Sequence, residues 1–170
     1  FELKLIVLGS HLLFECGNTI NDIKYPIYTT INSIISGQNK KIMAESCAFL
    51  MSKLPQILDD IKPDMVIIHG DRFDIIPIAV TCSLMNIFLV HIEGGELSGT
   101  IDEHIRHSIT KLSNYHLVST ENAKKILLQM GEQKDNISVV GCPSYDKIFK
   151  IKFNKDHLNN IYGSSFYVKE

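Results

Sequence analysis

The sequence predicts an α/β fold in which a parallel sheet carries helices on both faces. Two observations predict this class. Short, continuous apolar runs alternate along the chain with longer segments of helical periodicity. The apolar runs also lack the strict alternation of apolar and polar residues that marks a strand with one solvated face. We therefore expect parallel strands that are buried on both sides.

Six of the apolar runs are predicted to be strands, because turn-forming or polar residues bound them. Gly9 follows the first run and Pro26 begins the second, while His69 and His91 directly follow the third and the fourth. The predicted strands are residues 3–8, 26–30, 65–68, 87–90, 115–119 and 137–140.

Five segments are predicted to be helices: residues 40–61, 75–85, 100–112, 123–130 and 144–150. Pro55 is expected to interrupt or kink the first of them, because proline has no amide donor. Thr100 and Glu103 have the spacing of a capping box at the start of the third. Gly131 is expected to end the fourth.

Composition and charge exclude several classes of protein. The 170 residues are enough for one domain with a hydrophobic core. A net charge of −2 gives no reason to expect a nucleic acid or an anionic membrane as partner, and no apolar run reaches the ~18 residues of a membrane helix. The cysteines are too far apart for a CxxC pair, so we expect a cytoplasmic protein without a bound metal or other cofactor.

Two predicted strands end in the same way. His69 and Asp71 follow the third strand, and His91 and Glu93 stand at the same spacing after the fourth. Residues two apart on an extended chain point to the same side. If the strands are neighbours, two imidazoles and two carboxylates meet in one crevice at the carboxyl ends, where such sheets bind ligands. In the alternative, the histidines are buried structural groups and the acids cap the following helices.

The chain contains only two arginines among its 17 basic residues, and both stand near candidate acids. Arg72 directly follows Asp71, and Arg106 follows Asp102 by one helical turn, which puts that pair on one face. A guanidinium binds phosphate or carboxylate with two parallel hydrogen bonds, which lysine cannot do. Alternatively each arginine simply pairs with a nearby acid, and both interpretations can hold together.

Two loops add further candidates. The segment after Glu93 contains Gly94, Gly95 and Gly99, which permit close backbone approach, and Ser98, which adds a hydroxyl group. His11 follows the first strand and is expected to face the same crevice, where it is either a substrate contact or a structural histidine.

Three motifs together resemble the hydrolysing UDP-N-acetylglucosamine 2-epimerases of sialic-acid biosynthesis. They are HGDRFD at residues 69–74, HIEGGELSGTIDEHIRHSITKLS at 91–113 and GCPSYDK at 141–147. Residues 9–11 and 62–64 agree with the resemblance, which runs from about residue 3 to residue 150. The third motif is more similar to the animal type, in which this domain is the front half of a bifunctional protein with a C-terminal sugar kinase.

The resemblance implies a GT-B fold of two Rossmann-like domains around a cleft. Residues 1–150 are then an incomplete N-terminal domain that lacks its first strand, and residues 151–170 are a linker towards a second Rossmann-like domain. We expect this chain by itself to be inactive and the full-length protein to be an active homo-oligomer.

The resemblance also implies the reaction and the residues that carry it. UDP-N-acetylglucosamine and water would give UDP and N-acetylmannosamine through a glycal-like intermediate, which needs acids and bases to move protons. The acid–base candidates are Asp71, Glu93 and Asp102. The candidates for substrate binding are Arg72 and Arg106 at the phosphates, His91 and Ser98 at the sugar, and His11. Glu103 stands where relatives often have a second aspartate and receives no catalytic role.

Two other functions remain as alternatives. GDRFD at residues 70–74 resembles the GDxxD element of metallophosphoesterases, but the chain has no DxH on its first strand and no GNH motif. A non-catalytic module that binds a sugar nucleotide or mediates assembly is the second alternative. The presence of every candidate acid argues against it.

Overall fold

The computed structural model describes residues 1–34 and 39–148. Its strands are β1 (Leu5–Leu8), β2 (Ile27–Ile31), β3 (Met65–His69), β4 (Phe88–Ile92), β5 (Tyr115–Val118) and β6 (Ile137–Val139). Its helices are α1 (Lys40–Ile61), α2 (Ile76–Leu84), α3 (Ile101–Leu112), α4 (Glu121–Gln129) and α5 (Pro143–Ile148). Every predicted strand and helix is present. The predicted linker at 151–170 lies outside the described residues.

The sequence did not predict four short 3₁₀ helices. Three follow β1, and one precedes β6: Gly9–Leu12, Phe14–Cys16, Thr19–Asp22 and Lys134–Asn136. Such single turns carry too few residues to show a hydrophobic period, which explains why periodicity missed them.

All strand pairs are parallel, as predicted, but the described strands form two sheets rather than one. β1 pairs with β2, and β3, β4, β5 and β6 pair in that order. One hydrophobic core serves both sheets, since Ile31 of β2 and Ile68 of β3 belong to the same buried cluster. This arrangement brings the carboxyl ends of β3, β4 and β5 side by side.

The sequence of α1 explains why this segment forms a helix. Asn39 caps it, accepting the amide of Ile42 at 2.9 Å. Its buried leucines, Leu50, Leu54 and Leu58, stand four residues apart and form one apolar stripe. Pro55 is exposed and the helix continues through it, so the interruption that was one of the two predicted outcomes is absent. An exposed proline costs the helix one hydrogen bond, and the packed leucine stripe outweighs this loss.

The α/β class with flanking helices is confirmed, although the two sides of the sheet are not equally buried. Ile68 and Leu89 pack in a core with residues of α1, α2 and α3. Val118 forms a smaller cluster with residues of α4 and β6. Met65 and Ile67 alternate with the buried positions of β3 and are 49% and 54% exposed.

The chain divides into two compact units, Phe1–Val140 and Gly141–Glu170. All six strands and α1 to α4 belong to the first unit, and α5 belongs to the second. Among the helices in the described ranges, none is long and apolar enough to cross a membrane.

Candidate active site

The pairing of β3 with β4 decides which of their terminal side chains can meet. Ile68 lies opposite His91, and His69 lies opposite Ile92. Because side chains alternate between faces along a strand, this offset of one residue puts His69 and His91 on opposite faces of the sheet. The expectation that both imidazoles share one crevice is therefore wrong.

His91 lies beneath the site, where its side chain is fully buried. Its Nε2 is 3.1 Å from the carbonyl oxygen of Gly70, and its Nδ1 is 3.2 Å from Thr110 Oγ1. A carbonyl oxygen only accepts, so Nε2 donates to Gly70 and Nδ1 accepts from the Thr110 hydroxyl. Burial lowers the pKa of His91 to about 4, so the ring is neutral. We predicted that His91 lines the sugar pocket; instead it supports the turn that presents Asp71.

Asp71 and Arg106 form an ion pair across 35 residues of sequence. The Arg106 side chain is only 9% exposed. One guanidinium nitrogen donates to the Asp71 carboxylate and the other donates to the carbonyl oxygen of Glu96. The helical spacing suggested Asp102 as a neighbour on the same face, but Arg106 takes Asp71 as its ion-pair partner. A single side chain of α3 therefore joins the turn after β3 to the loop after β4.

Glu93 is held by side chains from two neighbouring strands. Its φ is +65°, a left-handed conformation that residues other than glycine rarely adopt. His69 Nε2 lies 2.5 Å from Glu93 Oε2, and Ser119 Oγ, just after β5, lies 3.3 Å from Oε1. An unusual backbone conformation kept in place by surrounding contacts is typical of functional positions.

His69 was expected in the crevice but without a role in the reaction, and Ser119 was not predicted as a site residue. For His69 a signal existed, because it stands two residues before Asp71 and ends a strand. For Ser119 the only signal was its position at the end of the predicted fifth strand. Both residues contact Glu93 only because of the order of the strands in the sheet, and this order cannot be read from the sequence.

The glycines after Glu93 are needed for packing. A Cβ added to Gly95, whose φ is +86°, would lie 2.6 Å from the carbonyl oxygen of Ala123. A Cβ added to Gly94 would lie 2.9 Å from Thr110 Oγ1. The loop thus runs directly over α3 and α4, with no room for side chains at these two positions.

The remainder of this loop is bound to the start of α3. The predicted capping box is absent, because the Thr100 side chain makes no cap hydrogen bond. The Glu103 carboxylate instead accepts the amides of Ser98 at 2.6 Å and Gly99 at 2.7 Å. These hydrogen bonds, from Gly99 and Ser98, lower the pKa of Glu103. The exposed Ser98 hydroxyl lies 3.2 Å from that of Thr100.

Arg72 pairs with Asp74 rather than with Asp71. Its Nε is 3.2 Å from Asp74 Oδ1, and its side chain is 52% exposed. Asp74 is buried against Gly9, where any Cβ would collide with the Asp74 carboxylate. This close contact brings the end of β1 next to the turn after β3. The exposed Arg72 side chain therefore remains accessible to a ligand.

The other two candidates lie in separate surroundings. His11 is exposed in the 3₁₀ turn after β1, with its Nδ1 2.7 Å from Thr19 Oγ1. Asp102 is partly exposed in the first turn of α3, where the helix dipole favours an anion. Their roles in the site stay predictions.

The arrangement suits proton transfer and anion binding. Asp71 and Glu93 follow two hydrogen-bonded strands, and each has a nitrogen donor fixed against it. Such oriented carboxylates are suited to general acid–base catalysis. Within residues 1–34 and 39–148, no cluster of three or more histidine, cysteine or acidic side chains is placed to hold a metal ion.

Comparison with known proteins identifies relatives of this chain. A UDP-N-acetylglucosamine 2-epimerase of Neisseria meningitidis serogroup B is 40% identical over 148 residues, which are 85% of this chain and 38% of the relative. A GDP/UDP-N,N'-diacetylbacillosamine 2-epimerase (hydrolyzing) of Campylobacter jejuni is 41% identical over 161 residues, 92% of this chain and 42% of the relative. The chain thus spans about two-fifths of the length of these curated relatives.

The fold has a counterpart among solved structures. The crystal structure of UDP-GlcNAc 2-epimerase from Neisseria meningitidis bound to UDP-GlcNAc matches with a TM-score of 0.75 and 22% identity, over 94% of this chain and 45% of that one. This likeness supports the prediction that the chain forms one half of a two-domain GT-B fold. The sequence profile of the UDP-N-acetylglucosamine 2-epimerase family matches residues 1–167, so the chain belongs to that family.

Proposed function

We propose that the full-length protein is a hydrolysing epimerase that converts UDP-N-acetylglucosamine and water to UDP and N-acetylmannosamine. One observation carries the proposal: Asp71 and Glu93 follow adjacent strands, with Arg106 fixed against the first and His69 against the second. The site therefore combines two oriented carboxylates with nitrogen donors. Family membership supports the substrate class.

The reaction needs a base, an acid and a site for the leaving diphosphate. A base removes the proton from C2 of the sugar, the C1–O bond breaks, and its electron pair leaves with UDP. Water then adds its oxygen to C1 and a proton returns to C2 from the opposite side. Asp71, Glu93 and Asp102 are the proposed groups that exchange these protons.

The remaining residues would bind the substrate. The guanidinium of Arg72, on a side chain that is 52% exposed, is suited to the diphosphate, because its fork matches two phosphate oxygens. Arg106 already donates to the Asp71 carboxylate and to the Glu96 carbonyl. It would orient Asp71 and would bind the phosphate through its remaining N–H groups. Ser98 and His11 are both exposed. Ser98 is the proposed contact to the sugar, and His11 is a further proposed contact to the substrate.

The name of one relative suggests a second candidate substrate. The enzyme of Campylobacter jejuni that is 41% identical bears a name that specifies N,N'-diacetylbacillosamine. That sugar carries a second N-acetyl group, so the two candidate substrates differ in size and in hydrogen-bonding groups while the chemistry at C1 and C2 stays the same. The ratio of kcat/KM for the two UDP-sugars distinguishes these possibilities.

The setting of the reaction is proposed as well. The resemblance at residues 141–147 favours an animal-type enzyme whose product serves sialic-acid synthesis, and a sugar kinase encoded beyond residue 170 would support this. The four cysteines are free thiols, which agrees with a cytoplasmic location. Light scattering of the full-length protein tests the proposed homo-oligomer, and assay of this chain alone tests whether it is inactive.

The decisive experiment follows the reaction in deuterated water with the full-length protein. We expect UDP release together with N-acetylmannosamine that carries deuterium at C2. Asp71→Asn and Glu93→Gln should each lower kcat by about 10²-fold or more, while Asp59→Asn, an exposed change on α1, should leave it unchanged. Product without deuterium, or full activity in both amide variants, would rule out the proposal. Activity that persists with excess chelator excludes a metallophosphoesterase.

A further inference from the structure

The loop of residues 94–99 is bound to α3 at two places. Near its middle, the carbonyl oxygen of Glu96 accepts from Arg106. Near its end, the amides of Ser98 and Gly99 both donate to one oxygen, Oε2, of Glu103. Glu103 and Arg106 are three residues apart and lie in the first two turns of the helix. Three polar backbone groups of the loop are therefore held by two charged side chains.

The contact made by Glu103 differs from an ordinary helix cap. In a capping box this glutamate would reach back to the amide of the N-cap residue. Here the carboxylate reaches past Thr100 to the two residues before it, at 2.6 and 2.7 Å. Hydrogen bonds of amides to a carboxylate are short and about twice as strong as those between neutral groups. The contact therefore fixes the loop rather than the helix.

The position of Ser98 gives this contact a functional meaning. Ser98 is exposed and carries the hydroxyl group proposed to meet the sugar. Its neighbour Gly99 has a φ of +69° and open space where a Cβ would lie. Without Glu103, the amides of Ser98 and Gly99 would lose their acceptor, and among the described residues this end of the loop would keep only the contact between the Ser98 and Thr100 hydroxyls.

We propose that Glu103 is a positioning residue that holds the 94–99 loop, and with it Ser98, in the geometry that binds the sugar of the nucleotide sugar. The inference rests on the proposed function and assigns Glu103 to substrate binding rather than to proton transfer. A residue with this task changes KM when it is removed, because it acts equally on substrate and transition state.

The first test measures amide hydrogen exchange of the full-length protein without substrate. In Glu103→Ala, the amides of Ser98 and Gly99 should exchange about tenfold faster or more, because their acceptor is lost. In Glu103→Gln the increase should be smaller, because the neutral amide oxygen still accepts. Glu45→Ala is the matched control, since Glu45 lies in an exposed ion pair on α1. Unchanged exchange at Ser98 and Gly99 overturns the proposal, whatever the activity.

The second test separates binding from chemistry. Glu103→Ala should raise KM about tenfold while kcat changes less than about threefold, and Glu103→Gln should recover part of the loss. A fall in kcat at constant KM overturns the proposal, because it would place Glu103 in the chemical step. If Glu103→Ala does not fold, Glu103→Gln should still show faster exchange at Ser98 and Gly99 and a raised KM, both smaller than expected for alanine, and wild-type values of both would overturn the proposal. If the wild-type protein releases no UDP, the proposed function fails, and the exchange measurement still decides the role of Glu103.

Discussion

Arg106 and Asp71 form an ion pair that ties α3 to the turn after β3. The guanidinium is nearly buried, whereas the Asp71 side chain is 28% exposed and so remains accessible to a ligand. Because Arg106 also donates to the Glu96 carbonyl, one residue sets the distance between a proposed acid and the glycine loop.

Replacing Arg106 with lysine tests the value of the guanidinium fork. One ammonium group cannot hold both the Asp71 carboxylate and the Glu96 carbonyl in the same geometry. We expect Arg106→Lys to lower kcat/KM for UDP release about 10²-fold and the free energy of unfolding by about 1–3 kcal/mol. Lys125→Ala, an exposed change on α4, serves as the control. Equal kcat/KM in wild-type and Arg106→Lys proteins would mean that the pair has no part in activity.

Replacing His69 with glutamine tests the contact with Glu93. Glutamine retains a donor, but its amide cannot hold the Glu93 carboxylate in the same geometry as the imidazole ring. We expect kcat to fall about 10- to 100-fold, because Glu93 is no longer oriented. His104→Gln, on an exposed position of α3, is the control. A kcat equal to that of the wild-type protein would exclude a role for His69 in orienting Glu93.

Periodicity and turn residues predicted every strand and helix because each is a local property of the sequence. The register between strands is not local. His69 and His91 look equivalent in the sequence, and only the pairing of Ile68 with His91 reveals that they face opposite sides. The same limit hid Ser119, whose contact with Glu93 depends on β5 lying next to β4.

Side-chain partners were predictable only where the alternatives were few. Arginine near an acid correctly predicted ion pairs, but the structure pairs Arg106 with Asp71 and Arg72 with Asp74. In the sequence, Asp102 stands at helical spacing from Arg106, but the tertiary contact with Asp71 forms instead. Glu103 matched a known capping pattern, yet its carboxylate binds the loop, because the path of a loop is not encoded in residue spacing.

Replacing Gly95 with alanine tests how tightly the loop packs on α4. A Cβ there would lie 2.6 Å from both the Ala123 carbonyl oxygen and Leu127 Cδ1. Gly131→Ala is a matched control, because Gly131 has a φ of +88° against +86° for Gly95 but has open space around it. Both variants carry the conformational cost of alanine at positive φ, about 1–2 kcal/mol. Overpacking should make Gly95→Ala less stable than Gly131→Ala by about 1–3 kcal/mol in urea unfolding, and equal stabilities would contradict the packing described.

The buried, neutral His91 predicts how stability depends on pH. Its pKa is about 4 in the fold against an ordinary value of 6.5, so between these values the unfolded chain binds a proton that the folded chain does not. The free energy of unfolding should therefore decrease as pH falls from 6.5 towards 4, by an amount on the order of 3 kcal/mol from this residue.

The variant His91→Gln isolates this contribution, because its amide still donates to Gly70 but does not titrate. His116 lies opposite His91 and is also buried. Its burial lowers its pKa, and this effect outweighs the opposite effect of the Glu132 carboxylate 3.3 Å away. His116 is present in both proteins, so it cancels from their difference. In urea unfolding of the full-length protein, wild type should lose more stability than His91→Gln between pH 7 and pH 5. Parallel curves would mean that His91 takes up a proton in the fold as readily as in the unfolded chain, and would exclude the buried, neutral ring.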